Sequence, residues 1–244
     1  MKQVFIVKEG NPNLTVFFAG WGADETPFKE YRPTDNDYLI CYDYRNLDFD
    51  FNLIKGYKYV TIVAWSMGVW AASQVMGRYL HEEKEVEESI LYSHRVAYNG
   101  TPYPIDDELG IPTETYHKMT KELSEATLSV FLRKMCGTAD AYREFLKISP
   151  RRPLEELREE LVCIEKQDAS LKRYPFPWSK AVISTEDSII PPPNQWLTWI
   201  SEGIMEDKGK EDAIFYTDEV DFTAQRTASP HYDALQLQYL IENG

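Results

Sequence analysis

Cysteine is scarce in this sequence, and its spacing excludes two kinds of structural crosslink. The chain of 244 residues has three cysteines, Cys41, Cys136 and Cys163, with no C-x-x-C pair among them. An odd number of widely spaced cysteines predicts neither a disulfide framework nor a zinc site. We therefore expect a reducing, cytoplasmic setting.

Motifs for cofactor binding are also missing. Gly20 and Gly22 begin like a dinucleotide-binding fingerprint, but the third glycine is absent from the residues that follow, 23–25. No Walker A lysine and no H-E-x-x-H metal motif is present. We therefore expect no cofactor and no metal.

The sequence also lacks long apolar runs and has fewer basic than acidic residues. No apolar stretch reaches 18 residues, which predicts no membrane span. The chain has 40 acidic and 26 basic residues and a net charge of −14, which argues against nucleic-acid binding. Segment 133–173 differs, since its ten basic and eight acidic residues make it locally basic.

Short apolar runs alternate with turn residues and helical stretches along most of the chain. Strands that alternate with helices predict an α/β fold, with a mostly parallel sheet and helices on both faces. The predicted strands are 1–8, 14–18, 38–42, 59–63, 89–93, 96–98, 180–184 and 213–217, and the late helices are 195–205 and 234–244.

The strand pattern stops between residues 111 and 175. Helical spacing appears there at 122–136, 140–148 and 154–164, the last after a proline that favours a helix start. We predict a core formed by 1–110 and 176–244, with 111–175 as a helical lid over the site. Extra helices that only cover the core are the alternative.

Ser66 lies between a predicted buried strand, 59–63, and a predicted helix, 69–80. Strand, sharp turn with a serine and then helix is the context of a nucleophile elbow. Ala64 and Gly68 are small, as a close approach of strand and helix requires. Ser66 is therefore the candidate nucleophile, and a serine in an ordinary turn is the alternative.

A serine nucleophile needs a histidine base, and the chain has four histidines. His81 is too far along the helix after the serine, His94 follows a strand and His117 lies in the helical insertion. His231 follows the last predicted strand, which matches the order serine, acid, histidine of α/β-hydrolases. His231 is the candidate base, and a surface histidine at a helix start is the alternative.

The acid that orients this histidine should follow the preceding strand. The loop after strand 180–184 contains Glu186 and Asp187 and is closed by prolines. We choose Asp187, with Glu186 next and a capping or turn role as the alternative.

Two backbone amides should stabilise the oxyanion. Met67 follows the serine, and Trp21 lies in a glycine-flanked turn after an early strand. Both are candidate donors.

Several segments together resemble the BioG-type pimeloyl-ACP methyl ester esterases, which are α/β-hydrolases of biotin synthesis. The most distinctive segment is AYNGTPYPID, which continues to GIP. The segments are FAGWG (18–22), CYDYR (41–45), AWSMG (64–68), AYNGTPYPID (97–106), GIP (110–112) and KMCG (134–137).

The resemblance implies hydrolysis of the methyl ester on a pimeloyl chain carried by acyl carrier protein. It places the catalytic triad on Ser66, Asp187 and His231. The long acyl chain would need an apolar channel, for which Trp21, Trp65 and Phe131 are candidates, although a core role suits each equally well.

A carrier protein is acidic and would need a basic docking face on this acidic chain. The candidates are Arg143, Lys147, Arg151, Arg152 and Arg158, and a solvated helix face of mixed charge is the alternative.

Two other functions stay open. One is a carboxylesterase or thioesterase that acts on small acyl esters without a carrier, and the other is a catalytically inactive hydrolase fold that binds a ligand. We expect a monomer.

Overall fold

The chain forms one sheet of eight strands, and the computed structural model describes residues 1–82, 94–201, 214–217 and 220–243. The strands are β1 (Lys2–Val7), β2 (Asn13–Phe18), β3 (Asn36–Tyr42), β4 (Tyr59–Trp65), β5 (Arg95–Tyr98), β6 (Lys180–Ser184), β7 (Ile214–Thr217) and β8 (Val220–Thr227).

The strand order across the sheet is β1-β3-β2-β4-β5-β6-β8-β7. All pairings from β3 to β8 are parallel, while β1 and β7 pair antiparallel at the two edges. This confirms the predicted α/β class and the mostly parallel sheet. The carboxyl ends of the parallel strands share one edge, which is where ligands bind in such sheets.

Seven α-helices are described, together with a 3₁₀ turn at Phe51–Leu53. The α-helices are α1 (Met67–Glu82), α2 (Thr113–Glu122), α3 (Glu125–Cys136), α4 (Ala139–Ile148), α5 (Leu154–Ser170), α6 (Pro192–Ser201) and α7 (Ala234–Asn243). None of the described helices is both long and apolar enough to cross a membrane.

The two faces of the sheet are covered by different helices. Along β4, Ile62 packs in one buried cluster and Val63 in the other, as the alternation of a strand requires. Trp70 of α1 joins the first cluster, and Leu237 of α7 joins the second. Helices therefore cover both faces, as the sequence predicts.

Two elements differ from the predictions. Residues 113–122 form α2, for which no separate helix is predicted, and β8 is the last strand before His231 where the sequence predicts 213–217. The predicted strand 89–93 and the end of the predicted helix 195–205 lie outside the described residues.

Helices α2 to α5 lie between β5 and β6 in the chain, which is where the sequence predicts a helical insertion. The packing among them is direct. The Tyr116 hydroxyl of α2 donates to the Leu161 carbonyl of α5 at 2.7 Å, and Arg158 of α5 donates to the Leu123 carbonyl after α2 at 2.6 Å.

Candidate active site

Ser66 occupies the tight turn between β4 and α1. Its φ of +57° is in the left-handed region, which a non-glycine residue adopts only when the surrounding structure enforces it. The Ser66 amide donates to the Tyr98 carbonyl of β5 at 3.0 Å, and the Ser66 carbonyl accepts from the Val69 amide at 3.0 Å. This turn is the strand–turn–helix geometry of a nucleophile elbow.

Glycines allow neighbouring backbone segments to approach closely around this turn. A Cβ at Gly68 would lie 2.1 Å from the Phe18 carbonyl oxygen, and a Cβ at Gly100 would lie 2.4 Å from the Ser66 carbonyl oxygen. Both distances are far below van der Waals contact. The sequence prediction that a small residue is needed at position 68 follows from this packing of α1 against the end of β2.

His231 reaches Ser66 from the loop between β8 and α7. Its Nε2 lies 2.9 Å from Ser66 Oγ, and its Nδ1 lies 2.8 Å from Asp187 Oδ2. The imidazole is 1% exposed and the carboxylate is buried. The geometry suits the tautomer in which Nδ1–H donates to the carboxylate and the serine hydroxyl donates to Nε2.

Asp187 is held by backbone and side-chain donors besides His231. The amides of Ile189 and Ile190 donate to Oδ1 at 2.8 and 3.0 Å, and the Gln195 amide donates to Oδ2 at 2.8 Å. The neighbouring Glu186 is exposed. The structure therefore brings Asp187 to His231, and Glu186 lies outside the site.

Gln195 and Asn99 belong to this site, and the sequence analysis assigned neither a role. Gln195 of α6 is fully buried and also donates to the Ile190 carbonyl at 2.9 Å. Its contacts fix the loop that carries Asp187. A buried amide on a helix gives no signal in the sequence, because the same residue is common on helix surfaces.

Asn99 connects three loops at the carboxyl edge of the sheet. Its side-chain amide donates to Ser184 Oγ at 2.7 Å and to the His231 carbonyl at 2.9 Å, and its oxygen accepts from the Ser184 amide at 2.7 Å. Asn99 has a φ of +45°, which asparagine tolerates better than most residues. The segment that carries the family resemblance therefore contains a residue that holds the histidine loop.

Trp65 also holds the histidine loop, since its indole Nε1 donates to the His231 carbonyl at 2.9 Å. The insertion contacts the same loop, because the Tyr232 amide donates to the Met135 carbonyl of α3 at 2.9 Å. A Cβ at Gly137 would lie 2.7 Å from Pro230 Cβ, so the end of α3 packs closely on the residue before the histidine.

The backbone amides of Trp21 and Met67 are the predicted oxyanion donors. Met67 begins α1, where backbone N–H groups have no intrahelical acceptor, and Trp21 lies in the turn after β2. Within the described ranges, neither amide donates to another residue of the chain. Gly22, with a φ of +76°, completes the turn beside Trp21.

Two cavities have Trp21 and Phe131 on their walls, and the rings of these two residues pack edge to face with centroids 5.2 Å apart. The first has a volume of about 260 Å³ and is lined by Trp21, Trp65 and Phe131 together with residues of α3, α4 and α5. The second, of about 210 Å³, has Ile111 and Ile189 on its walls. The three predicted substrate-binding residues therefore share one cavity.

The predicted basic residues occupy three different environments. Arg143, Lys147 and Arg151 are exposed, and the first two form ion pairs with Asp140 and Glu144 of their own helix.

Arg152 requires a correction, because its side chain is only 4% exposed. Its guanidinium lies 2.7 Å from Glu160 and 3.1 Å from Asp43, so it cannot form part of a docking face. Arg158 is half-buried and caps the end of α2 through the Leu123 carbonyl.

The other histidines lie away from Ser66. His117 of α2 pairs with Glu165 at 2.9 Å, and the His81 ring lies 4.9 Å from the ring of Tyr174. Within the part of the chain that the structure describes, no three His, Cys, Asp or Glu residues are grouped so that they could hold a metal ion.

The fold and the site together define a class. The chain has the α/β-hydrolase fold, with a serine elbow, a histidine after the last strand and a carboxylate between them. A lipase-esterase related protein from Clostridium acetobutylicum shares this fold, with a TM-score of 0.58 at 12% identity over 99% of this chain and 98% of that one.

Closer relatives identify the family. The model of the family described as pimeloyl-ACP methyl esterase BioG matches residues 1–223, and the chain belongs to this family. The structure of BioG from Haemophilus influenzae is similar to this one, with a TM-score of 0.77 and 28% identity over 97% of this chain and 96% of that one. Family and fold together support an ester-hydrolysing enzyme.

A longer relative is the malonyl-[acyl-carrier protein] O-methyltransferase of Bacteroides fragilis. It is 48% identical over 184 residues, which are 75% of this chain and 36% of that protein. This chain therefore matches about a third of the length of that relative.

Proposed function

We propose that this chain hydrolyses the methyl ester of pimeloyl-ACP methyl ester to pimeloyl-ACP and methanol. The observation that carries the proposal is the hydrogen-bonded chain from Ser66 through His231 to Asp187. His231 Nε2 lies 2.9 Å from Ser66 Oγ and His231 Nδ1 lies 2.8 Å from Asp187 Oδ2, and all three residues are buried.

In the proposed reaction, Ser66 Oγ attacks the ester carbonyl while its proton passes to His231 Nε2. Asp187 holds the Nδ1–H and stabilises the imidazolium that forms. The tetrahedral intermediate collapses, and methanol leaves with the proton from Nε2. A water molecule, deprotonated by His231, then attacks the acyl-enzyme and releases the free carboxylate and Ser66.

The Trp21 and Met67 amides are the proposed oxyanion donors. Neither has an acceptor among the described residues; Met67 follows Ser66, and a Cβ at Gly20, the residue before Trp21, would lie 3.2 Å from Ser66 Cβ. Loss of one oxyanion donor costs an enzyme about 3 kcal/mol of transition-state stabilisation, so placement of these two amides has a large effect on rate.

The cavity of about 260 Å³ beside Trp65, the residue before Ser66, is the proposed site of the acyl chain. Trp21, Trp65 and Phe131 line it, and the rest of the wall comes from residues 22–28 after β2 and from the insertion, which we propose acts as a lid. An apolar wall suits the methylene groups of a pimeloyl chain, because their burial is the main source of binding energy available to them.

Two observations support the proposal that the substrate is attached to an acyl carrier protein that docks on this chain. The family description and the name of the Bacteroides fragilis relative both specify an acyl carrier protein. Arg143, Lys147 and Arg151 place exposed positive charge on the insertion of a chain with a net charge of −14. A local basic face of this kind can attract an acidic partner despite the overall negative charge.

Mass spectrometry of methyl-pimeloyl-ACP before and after incubation with the enzyme tests this function. We expect the intact carrier species to lose one methylene unit of mass, and we expect no change with Ser66→Ala. If the wild type cleaves p-nitrophenyl esters but leaves methyl-pimeloyl-ACP intact, the protein is an esterase for free esters. The pimeloyl assignment would then be wrong.

A further inference from the structure

Four consecutive residues of the turn after β2 are bound by the segment 151–160 of the insertion. The first two contacts come from α5. The Trp21 indole Nε1 donates to the Leu157 carbonyl at 3.0 Å, and the Gly22 amide donates to Glu160 Oε2 at 3.4 Å.

The next two contacts come from the residues just before α5. The Arg152 guanidinium donates to the Ala23 carbonyl at 3.3 Å, and Asp24 Oδ2 accepts from the Arg151 amide at 2.7 Å. The insertion thus contacts this turn residue by residue. A turn held only by its own backbone would leave the Trp21 amide free to shift.

Glu160 and Arg152 are the charged pair at the centre of these contacts. Glu160 is fully buried, and its Oε2 accepts from Arg152 Nη1 at 2.7 Å. The core fixes the pair from the opposite side, since the Tyr44 amide donates to Glu160 Oε1 at 2.8 Å and Asp43 lies 3.1 Å from Arg152.

Such a pair is costly to place inside a protein. Burial raises the pKa of Glu160, and the charge of Arg152 offsets part of this effect. The free energy needed to remove a carboxylate and a guanidinium from water offsets much of the attraction between them. Apolar residues in place of such a pair therefore often stabilise a fold as well or better. The cost is understandable if the pair sets the position of a group that matters for another reason.

We propose that the Glu160–Arg152 pair is a positioning device for the oxyanion site. It holds the 21–24 turn so that the Trp21 amide is aimed at the oxyanion that forms beside Ser66. This inference rests on the proposed esterase function. Glu160 and Arg152 are positioning residues, since they act through the turn and do not touch the substrate.

A positioning role predicts a particular kinetic signature. An oxyanion donor acts on the tetrahedral state more than on the bound ester, so its displacement should lower kcat and leave KM nearly unchanged. Misplacement of a catalytic group by 1 Å can cost about 100-fold in rate. A partial shift of one of two donors should therefore cost roughly 10-fold.

The test compares Glu160→Gln with Asp168→Asn on a p-nitrophenyl ester. Asp168 is a matched control because it lies on the same helix and is also paired with an arginine, Arg173 at 2.8 Å, while its hydrogen bonds among the described residues include none to the 21–24 turn. We expect Glu160→Gln to lower kcat about 10-fold with KM within about twofold, and Asp168→Asn to retain wild-type kinetics.

Two inhibitors separate positioning from general damage to the site. An aliphatic trifluoromethyl ketone forms a tetrahedral adduct with Ser66 that carries an oxyanion, whereas the corresponding secondary alcohol cannot. We expect Glu160→Gln to weaken the ketone about 10-fold and the alcohol less than about twofold. Equal weakening of both, or kinetics like the wild type, would overturn the positioning role.

Arg152→Lys covers the case in which Glu160→Gln does not fold. Lysine keeps the positive charge but cannot reach Glu160, Asp43 and the Ala23 carbonyl together. The same split between ketone and alcohol is expected, and wild-type kinetics would overturn the inference. A wild type that hydrolyses no ester would overturn the proposed function itself, whereas an active wild type with unaffected variants would overturn the positioning role alone.

Discussion

Asn99 shows how one side chain can control the geometry of a site that it does not itself enter. Its amide group bonds to Ser184 and to the His231 carbonyl, and its own φ of +45° is strained for most residues. Loss of this side chain would remove the acceptor of the buried Ser184 amide, and the His231 carbonyl would keep the bond from Trp65 but lose the one from Asn99. The histidine would then be less firmly held against Ser66.

Asn99→Ala and Asn99→Gly separate these two effects. Both variants should lose about 2 kcal/mol of unfolding free energy through the missing hydrogen bonds. Asn99→Ala should lose about 1 kcal/mol more, because alanine is strained at positive φ and glycine is not. Urea unfolding measures both values, and equal stabilities of the two variants would contradict the conformational part of the account.

Residue patterns in the sequence predict the site only in part. Ser66 and His231 follow from the elbow and the chain order, and the structure places them 2.9 Å apart. Asn99 and Gln195 give no such signal, because their roles depend on contacts that the fold creates. The bonds of Asn99 join residues 85 and 132 positions away in the chain.

At the scale of elements, the approach of α1 to β2 determines how Ser66 is presented. Gly68 lies where these elements meet, and a Cβ there would overlap the Phe18 carbonyl. Since the overlap involves backbone, α1 would have to move away from the sheet. Such a movement would displace Met67, a proposed oxyanion donor.

We expect Gly68→Ala to lose at least about 3 kcal/mol of unfolding free energy through this overlap. Gly56→Ala is the matched control, because Gly56 has a φ of +83° and open space around its Cβ position. That variant should lose only about 1 kcal/mol through backbone strain. Chemical denaturation compares the two, and an equal or smaller loss for Gly68→Ala would be inconsistent with the tight packing.

Two elements escape sequence prediction for physical reasons. Helix α2 has the sequence TETYHKMTKE and buries only Tyr116, so it has no apolar stripe from which to predict a helix. Strand β8, VDFTAQRT, mixes polar and apolar residues and has no continuous apolar run. Its strand conformation comes from pairing with β6 and β7.

The insertion illustrates the same limit. Its helices α3 to α5 are predictable from spacing, but the contacts of residues 151–160 with the 21–24 turn join residues more than 120 positions apart. The burial of Arg152 follows from these contacts. Its sequence neighbourhood, with Arg151 beside it, gives no indication that one arginine is exposed and the other buried.

For the whole molecule, two carboxylates near α5, Asp43 and Asp168, change the free energy of unfolding with pH in opposite directions. Asp43 is buried, which alone would raise its pKa, but hydrogen bonds from Arg45 and the charge of Arg152 hold the pKa below its ordinary value of 3.8. Burial raises the pKa of Asp168 above 3.8 despite its pairing with Arg173.

The signs follow from linkage. Asp43 contributes stability that is present above pH 3.8 and is lost as pH falls through its lower folded-state pKa. Asp168 contributes stability that is present below pH 3.8 and is lost as pH rises through its higher folded-state pKa.

Urea unfolding of Asp43→Asn and Asp168→Asn between pH 2.5 and 7 tests these signs. The wild type should gain stability over Asp43→Asn as pH rises, and should lose stability relative to Asp168→Asn over the same change. Slopes of the same sign for the two variants would show that one of the two pKa directions is wrong.

The proposed docking face is a property of the whole surface. A double reversal, Arg143→Glu with Arg151→Glu, should lower kcat/KM on methyl-pimeloyl-ACP about 10-fold by slowing association with an acidic partner. Activity on a p-nitrophenyl ester should stay within about twofold. The effect on the carrier substrate should shrink at high salt.

Lys55→Glu with Lys58→Glu is the matched control for this reversal. It changes the net charge by the same amount at exposed positions beside the amino end of β4, the opposite edge of the sheet from Ser66. An equal loss of carrier-dependent activity in the control would mean that net charge, and not this face, governs association.

The central claim is that His231 activates Ser66, and labelling with a fluorophosphonate probe tests it most directly. Peptide mass spectrometry should find the probe on Ser66 of the wild type, with labelling lost in Ser66→Ala and slowed at least about 10³-fold in His231→Ala. A wild type that is not labelled, or a His231→Ala variant labelled at the wild-type rate, would contradict the account.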